Sequence, residues 1–175
     1  MARLRDIEPY TPWGSYAVDV SWWSIDHWLE AWNEAGGADL DPPFQRGHVW
    51  TMEQRSRFIE HCLRRGKSGY DILWNCQDWQ HGSSIERHPM VLVDGKQRLT
   101  SVRMFINDEV TAFGRHLSEY DGGHDPMEPR FRMHVNDLAT EAEVLQWYLD
   151  INAGGVVHTD DELDKVRRML ADVKE

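Results

Sequence analysis

The sequence predicts a domain of mixed strands and helices, α+β or α/β. Three observations point there. Short apolar or alternating segments of strand length recur at residues 16–20, 71–75, 90–93, 110–113 and 131–135. Segments of helical periodicity with recognisable caps lie between and after them. At residues 90–106 a strand passes straight into a helix, with Gly95 at the corner.

In chain order, residues 22–35 carry Trp22, Ile25, Trp28, Leu29 and Trp32 on one helical face, and Gly36-Gly37 stops that helix. Pro42-Pro43 keeps residues 40–46 extended or turned. Thr51 and Gln54 have the spacing of a capping box and open a helix with Phe58, Ile59, Cys62 and Leu63 inward. His81-Gly82-Ser83-Ser84 is turn chemistry, and residues 119–129 form a polar loop. Two further capping boxes, Thr140 with Glu143 and Thr159 with Glu162, open helices to about residues 149 and 170.

Composition narrows the function classes. Apolar residues make up 41% of the 175, enough for one core. No apolar run approaches the ~20 residues of a membrane span. The N-terminus, MARLRDIEPY, has no apolar stretch, so no signal peptide is expected. Two cysteines make neither a disulfide framework nor a zinc site, which fits a cytoplasmic setting. A net charge of −11 argues against tight non-specific binding to DNA, which runs on phosphate neutralisation. A basic cluster nevertheless marks the middle: Arg46, Arg55, Arg57, Arg64, Arg65 and Lys67. Nine tryptophans, six before residue 51, predict a Trp-rich core with a partner surface as the alternative.

The chemistry concentrates at Asp94-Gly95-Lys96-Gln97-Arg98. A helix N-terminus offers free N–H groups and the positive end of its dipole to an anion. Gly95 lets a ligand approach the backbone. Arg98 can fork onto phosphate oxygens, and Lys96 acts as a point charge. Asp94 can hold magnesium or accept a hydroxyl hydrogen bond. Locally, Asp94 as a helix cap and Arg98 as the partner of an acid explain the same residues. Gln45 and Arg46, on the proline-stiffened segment, read as the other wall of one pocket. His116, Asp121, His124 and Asp125 match no zinc spacing. His48 and Glu60 are weaker ligand-facing candidates.

The order Pro-Phe-Gln-Arg-x-x-Val-Trp, then Gln54 and Phe58-Ile59-Glu60 on a helix, then Val-Asp-Gly-Lys-Gln-Arg-Leu-Thr-Ser, resembles the ParB-like domain forming the N-terminal half of GmrSD-type modification-dependent restriction enzymes. Asn152-Ala153-Gly154-Gly155 before Thr159 and Glu162 is similar to the family's Asn-x-Gly-Gly turn. The resemblance covers roughly residues 40–170. It implies a ParB/sulfiredoxin-like α+β fold, a small mixed sheet flanked by helices. The chain is then expected to divide into a Trp-rich strand and helix at 1–39, packed on a nucleotide-binding domain at 40–175.

The resemblance also implies chemistry. The family's Asp-Gly-Gln-Gln-Arg turn is associated with nucleotide binding and hydrolysis. Carried over, it implicates Asp94, Gly95, Gln97 and Arg98, joined by Gln45 and Arg46 from the first motif and Asn152 from the last. Lys96 stands where the family usually has Gln and adds a cation. In a triphosphatase reading, Arg46 and Arg98 lie on the phosphates, while Asp94 binds magnesium or orients water. Sulfiredoxin chemistry is not expected, because residues 94–98 contain no Cys. The length predicts a stand-alone form of phage or mobile-element type, with any nuclease supplied by a partner protein. A non-catalytic DNA- or nuclease-binding regulatory module and a small-molecule kinase are the competing readings.

Overall fold

A computed structural model describes residues 16–45, 47, 49–77, 79, 88–121, 129–152 and 160–174. The strands are β1 (Tyr16–Ser21), β2 (Ala38–Asp39), β3 (Asp71–Asn75), β4 (Met90–Asp94) and β5 (Arg130–Asn136). The helices are α1 (Ile25–Ala35), α2 (Met52–Leu63), α3 (Lys96–Ile106), α4 (Glu141–Asn152) and α5 (Asp160–Lys174). One five-stranded sheet runs in the order β1-β5-β3-β4-β2. The β1/β5 and β3/β4 pairs are antiparallel, and β5/β3 and β4/β2 are parallel. This is the mixed sheet flanked by helices expected of an α+β domain.

The two-residue period of a strand sends alternate side chains to opposite faces. Met90 and Leu92 join Ile72, Trp74, Phe131, Met133 and Val135 on the face covered by α1, α2 and α3. Val91, Val93 and Leu73 face the other way, against Phe44, α4 and α5. The apolar run Met90 to Val93 of β4 is thus explained by cover on both sides, whereas β5 alternates. Arg132 pairs with Asp19 at 3.0 Å and His134 with Asp71 at 2.6 Å on its exposed side. The Trp-rich core is present: Trp22 and Trp74 are buried, and Trp28, Trp32 and Trp79 pack against them. Strand β1 and helix α1 belong to this same sheet and core.

Local signals placed most elements. Thr51 Oγ1 accepts from the Gln54 N–H at 3.2 Å, and Gln54 Oε1 accepts from the Thr51 N–H at 2.8 Å. Glu143 and Thr140 exchange the same pair of bonds at the start of α4. The box at Thr159 and Glu162 and the turn at 81–84 lie outside the described residues. One strand expectation is corrected. Residues 110–113 form no ladder strand, because Phe113 (φ 50°) and Gly114 (φ 73°) fold the chain back at once. Ala112 and Arg115 close that turn with two hydrogen bonds, and Val110 and Ala112 are buried without sheet partners. Among the described residues no helix is long and apolar enough to cross a membrane.

Candidate functional site

Two segments some fifty residues apart are stapled side by side. Gln45 sits in a turn closed by its own N–H to the Pro42 carbonyl at 2.9 Å. Phe44 anchors that turn in the second core, its ring 5.2 Å from that of Tyr148. The Gln45 side-chain amide then donates to the carbonyls of Leu92 at 3.0 Å and Val93 at 2.7 Å, at the end of β4. From the opposite direction, Gln97 Nε2 donates to the Gly47 carbonyl at 3.0 Å. Gln97 Oε1 receives the Trp50 N–H and the Arg55 guanidinium, each at 3.4 Å. The chain from Gln45 to Trp50 therefore crosses the end of β4 and the first turn of α3. Arg46 and His48 lie outside the described residues; Gln45 and Gly47, the neighbours of Arg46, are fixed by these bonds.

At the corner itself, Gly95 has φ 103°, a left-handed conformation that L side chains resist. A Cβ there would lie 2.5 Å from Ile72 Cδ1, a fully buried side chain, so the position needs glycine twice over. No side chain caps α3; Gly95 is the N-cap, so Asp94 does not serve as one. The first N–H groups of any helix have no acceptor within it.

The cations of this turn diverge. Lys96, 6% exposed, reaches Asp41, which is 73% exposed. Together they line a cavity of about 190 Å³ with Leu40, Leu92, Leu99 and Arg103. Arg98 turns to the other side, where its NH2 donates to Asp94 Oδ2 at 2.6 Å across one helical turn. Both partners keep contact with solvent, 23% and 44% exposed. Cys62 and Tyr70 lie close by. Burial pushes the Cys62 thiol up to about 11 despite the nearby Arg98 charge. Burial likewise pushes the Tyr70 phenol up to about 12. Both are neutral at pH 7.

One contributor escaped the reading of the sequence. Arg55 is 4% exposed and bonds Ser101 Oγ at 3.2 Å as well as Gln97, bracing the staple from behind. Its burial lowers its pKa from the ordinary arginine value. The signal was in the sequence: Arg55, Ile59 and Cys62 share one face of α2, the i, i+4, i+7 stripe that faces inward. The remaining candidates have other engagements. Asn152 donates its amide to the Tyr148 carbonyl at 2.7 Å, within its own helix. Glu60 accepts the Phe113 N–H at 2.7 Å. His124 and Asp125 lie outside the described residues. Among the described residues no group of three or more His, Cys, Asp or Glu side chains is placed to hold a metal ion.

The family described as the GmrSD restriction endonuclease N-terminal domain matches residues 31–132, more than half of the chain. No curated protein and no solved structure matches it. The matched stretch contains both stapled segments, 45–50 and 94–98, and excludes the turn after Asn152. With that match and a mixed sheet flanked by helices, the chain belongs to the family of ParB-like GmrSD restriction endonuclease N-terminal domains.

Proposed function

We propose that this domain binds a nucleoside triphosphate at the corner between residues 45–50 and 94–98, and that the bound nucleotide sets its interaction with a nuclease partner. The observation that carries the proposal is the double staple. Gln45 on the carbonyls of Leu92 and Val93, and Gln97 on Gly47 and Trp50, align both motifs against one helix N-terminus. Oriented N–H groups and the helix dipole favour an anion there. Arg98 is the cation at hand, held in reserve by Asp94. A phosphate takes over the guanidinium, in the planar two-point contact that arginine makes best. Arg46, next to Gln45 in the sequence, is the second arginine proposed for the phosphates. Lys96 is a positioning residue in this reading, because its ammonium ties Asp41 to α3.

Asp94, released by Arg98, fits the way magnesium is usually held by one or two carboxylates plus nucleotide phosphates. When bound, the ion would neutralise phosphate charge. The nuclease partner is supported by the family's description as the N-terminal domain of a restriction endonuclease.

Calorimetric titration with each of the four nucleoside triphosphates, with magnesium present, tests the reading. Heat is expected with at least one. Silence with all four sinks it and leaves a binding module for DNA or a nuclease. Phosphate release measured in the same samples reports turnover.

A further inference from the structure

We propose that Trp50 is the shelf on which the base of the bound nucleotide stacks. This rests on the nucleotide reading above and adds to it the residue that recognises the ligand's flat aromatic half. The tryptophans of a small domain belong in its core, and most here do. Trp22, Trp28, Trp32, Trp74 and Trp79 pack in the first core and Trp147 in the second. Trp50 belongs to neither. It is only half-buried and lies between two exposed apolar side chains, Val49 at 46% and Met52 at 51%.

Its position is fixed relative to the phosphate corner. The Trp50 N–H is held by Gln97 Oε1 at 3.4 Å, inside the turn that would bind the phosphates. Its ring rests against Phe58, centroids 5.4 Å apart and planes tilted by 60°. Phe58 and the Arg98 side chain both border Gly69. A Cβ on Gly69 would lie 3.0 Å from Phe58 Cε2 and 3.9 Å from Arg98 Cδ. Gly69, at φ 84°, has no side chain of its own to crowd Phe58 or Arg98. Trp50 touches Phe58, and Phe58 and Arg98 both border Gly69, so a large apolar ring and a guanidinium belong to one neighbourhood. A nucleotide has the same layout, a flat base at one end and charged phosphates at the other. Base stacking on an aromatic ring adds affinity without choosing the base, since every base offers a π face.

The test compares a ligand that has a base with one that lacks it. Affinities of the preferred nucleoside triphosphate and of inorganic tripolyphosphate are measured for the wild type, Trp50→Leu and Trp50→Phe. The wild type should bind the nucleotide more tightly than tripolyphosphate. Trp50→Leu should lose about tenfold for the nucleotide and keep its tripolyphosphate affinity. Trp50→Phe, which restores a ring, should fall between. Equal loss for both ligands means that Trp50 merely holds the loop, and overturns the shelf. Unchanged nucleotide affinity in Trp50→Leu overturns it as well. Equal affinity of the wild type for the two ligands leaves the phosphate site standing and removes the shelf. If the wild type binds neither ligand, the nucleotide reading itself has failed, and the shelf falls with it.

Discussion

Asp94 and Arg98 hold each other across one turn of α3, and both are partly solvated. Partly exposed ion pairs of this kind contribute about 0.2–1 kcal/mol. The pair is therefore easily exchanged for a better anion. Removing the carboxylate should make the arginine more available. Asp94→Asn is expected to tighten tripolyphosphate binding in magnesium-free buffer by up to about 5-fold, the factor equivalent to the top of that range. Weaker binding would mean that Asp94 orients Arg98 rather than competing for it. Cys62 gives a second test at this scale. Its thiol ionises near 11 in the fold against an ordinary 9.0, so the folded state holds the extra proton between these values. Stability is complete below pH 9 and falls as pH rises toward 11. Cys62→Ala should flatten that fall in denaturant titrations, leaving only the part of the Tyr70 shift that burial causes. An unchanged slope contradicts the assignment. The residue types at the corner were legible because a Gly between a strand and a helix has a local cause. What Gln45 and Gln97 bond was not, since an amide side chain accepts any donor or acceptor that the fold supplies. Their partners lie 42 to 50 residues away.

Elements announced by their own ends were the most legible. Thr51 with Gln54 and Thr140 with Glu143 fix two helix starts within four residues of sequence, and both boxes form. Thr51→Ala should cost about 1 kcal/mol, read as a shift in the denaturation midpoint with an unchanged slope. No shift would mean that tertiary packing alone holds the start of α2. Gly95→Ala should cost more, about 1–3 kcal/mol, because it sets a strained φ against a buried Ile72. Less than half a kcal/mol would show that the corner relaxes. Elements without local causes were missed. Ala38–Asp39 is a strand only because β4 runs beside it, with Met90 N–H on the Gly37 carbonyl. Residues 110–113 have a strand's alternation, yet the turn at Phe113 and Gly114 leaves them no partner to pair with.

Across the whole molecule, charge sets what the surface can do. At −11, the chain must overcome its own field to hold a duplex, over a Debye length of ~8 Å at physiological salt. Three of the basic residues in and just after α2 are already engaged. Arg55 is buried, Arg57 is paired with Glu53 and Arg64 lies over the Phe113 ring. Gel-shift titration of unmodified duplex at physiological salt should show no sub-micromolar complex with the isolated chain. A tight complex with a steep salt slope would mean that phosphate contacts dominate after all. The proposed nucleotide corner is exempt from this argument, since it would work at contact distance through a helix N-terminus with Arg98 and Arg46. Side-by-side calorimetry of the wild type and Arg98→Ala, with magnesium and the preferred triphosphate, tests that claim most directly. The expected result is a wild-type complex weakened by about 2–3 kcal/mol in the variant, the value of a charged hydrogen bond, with the melting temperature preserved. A variant that melts early yet binds as the wild type does would make Arg98 a structural ion-pair residue and contradict the account.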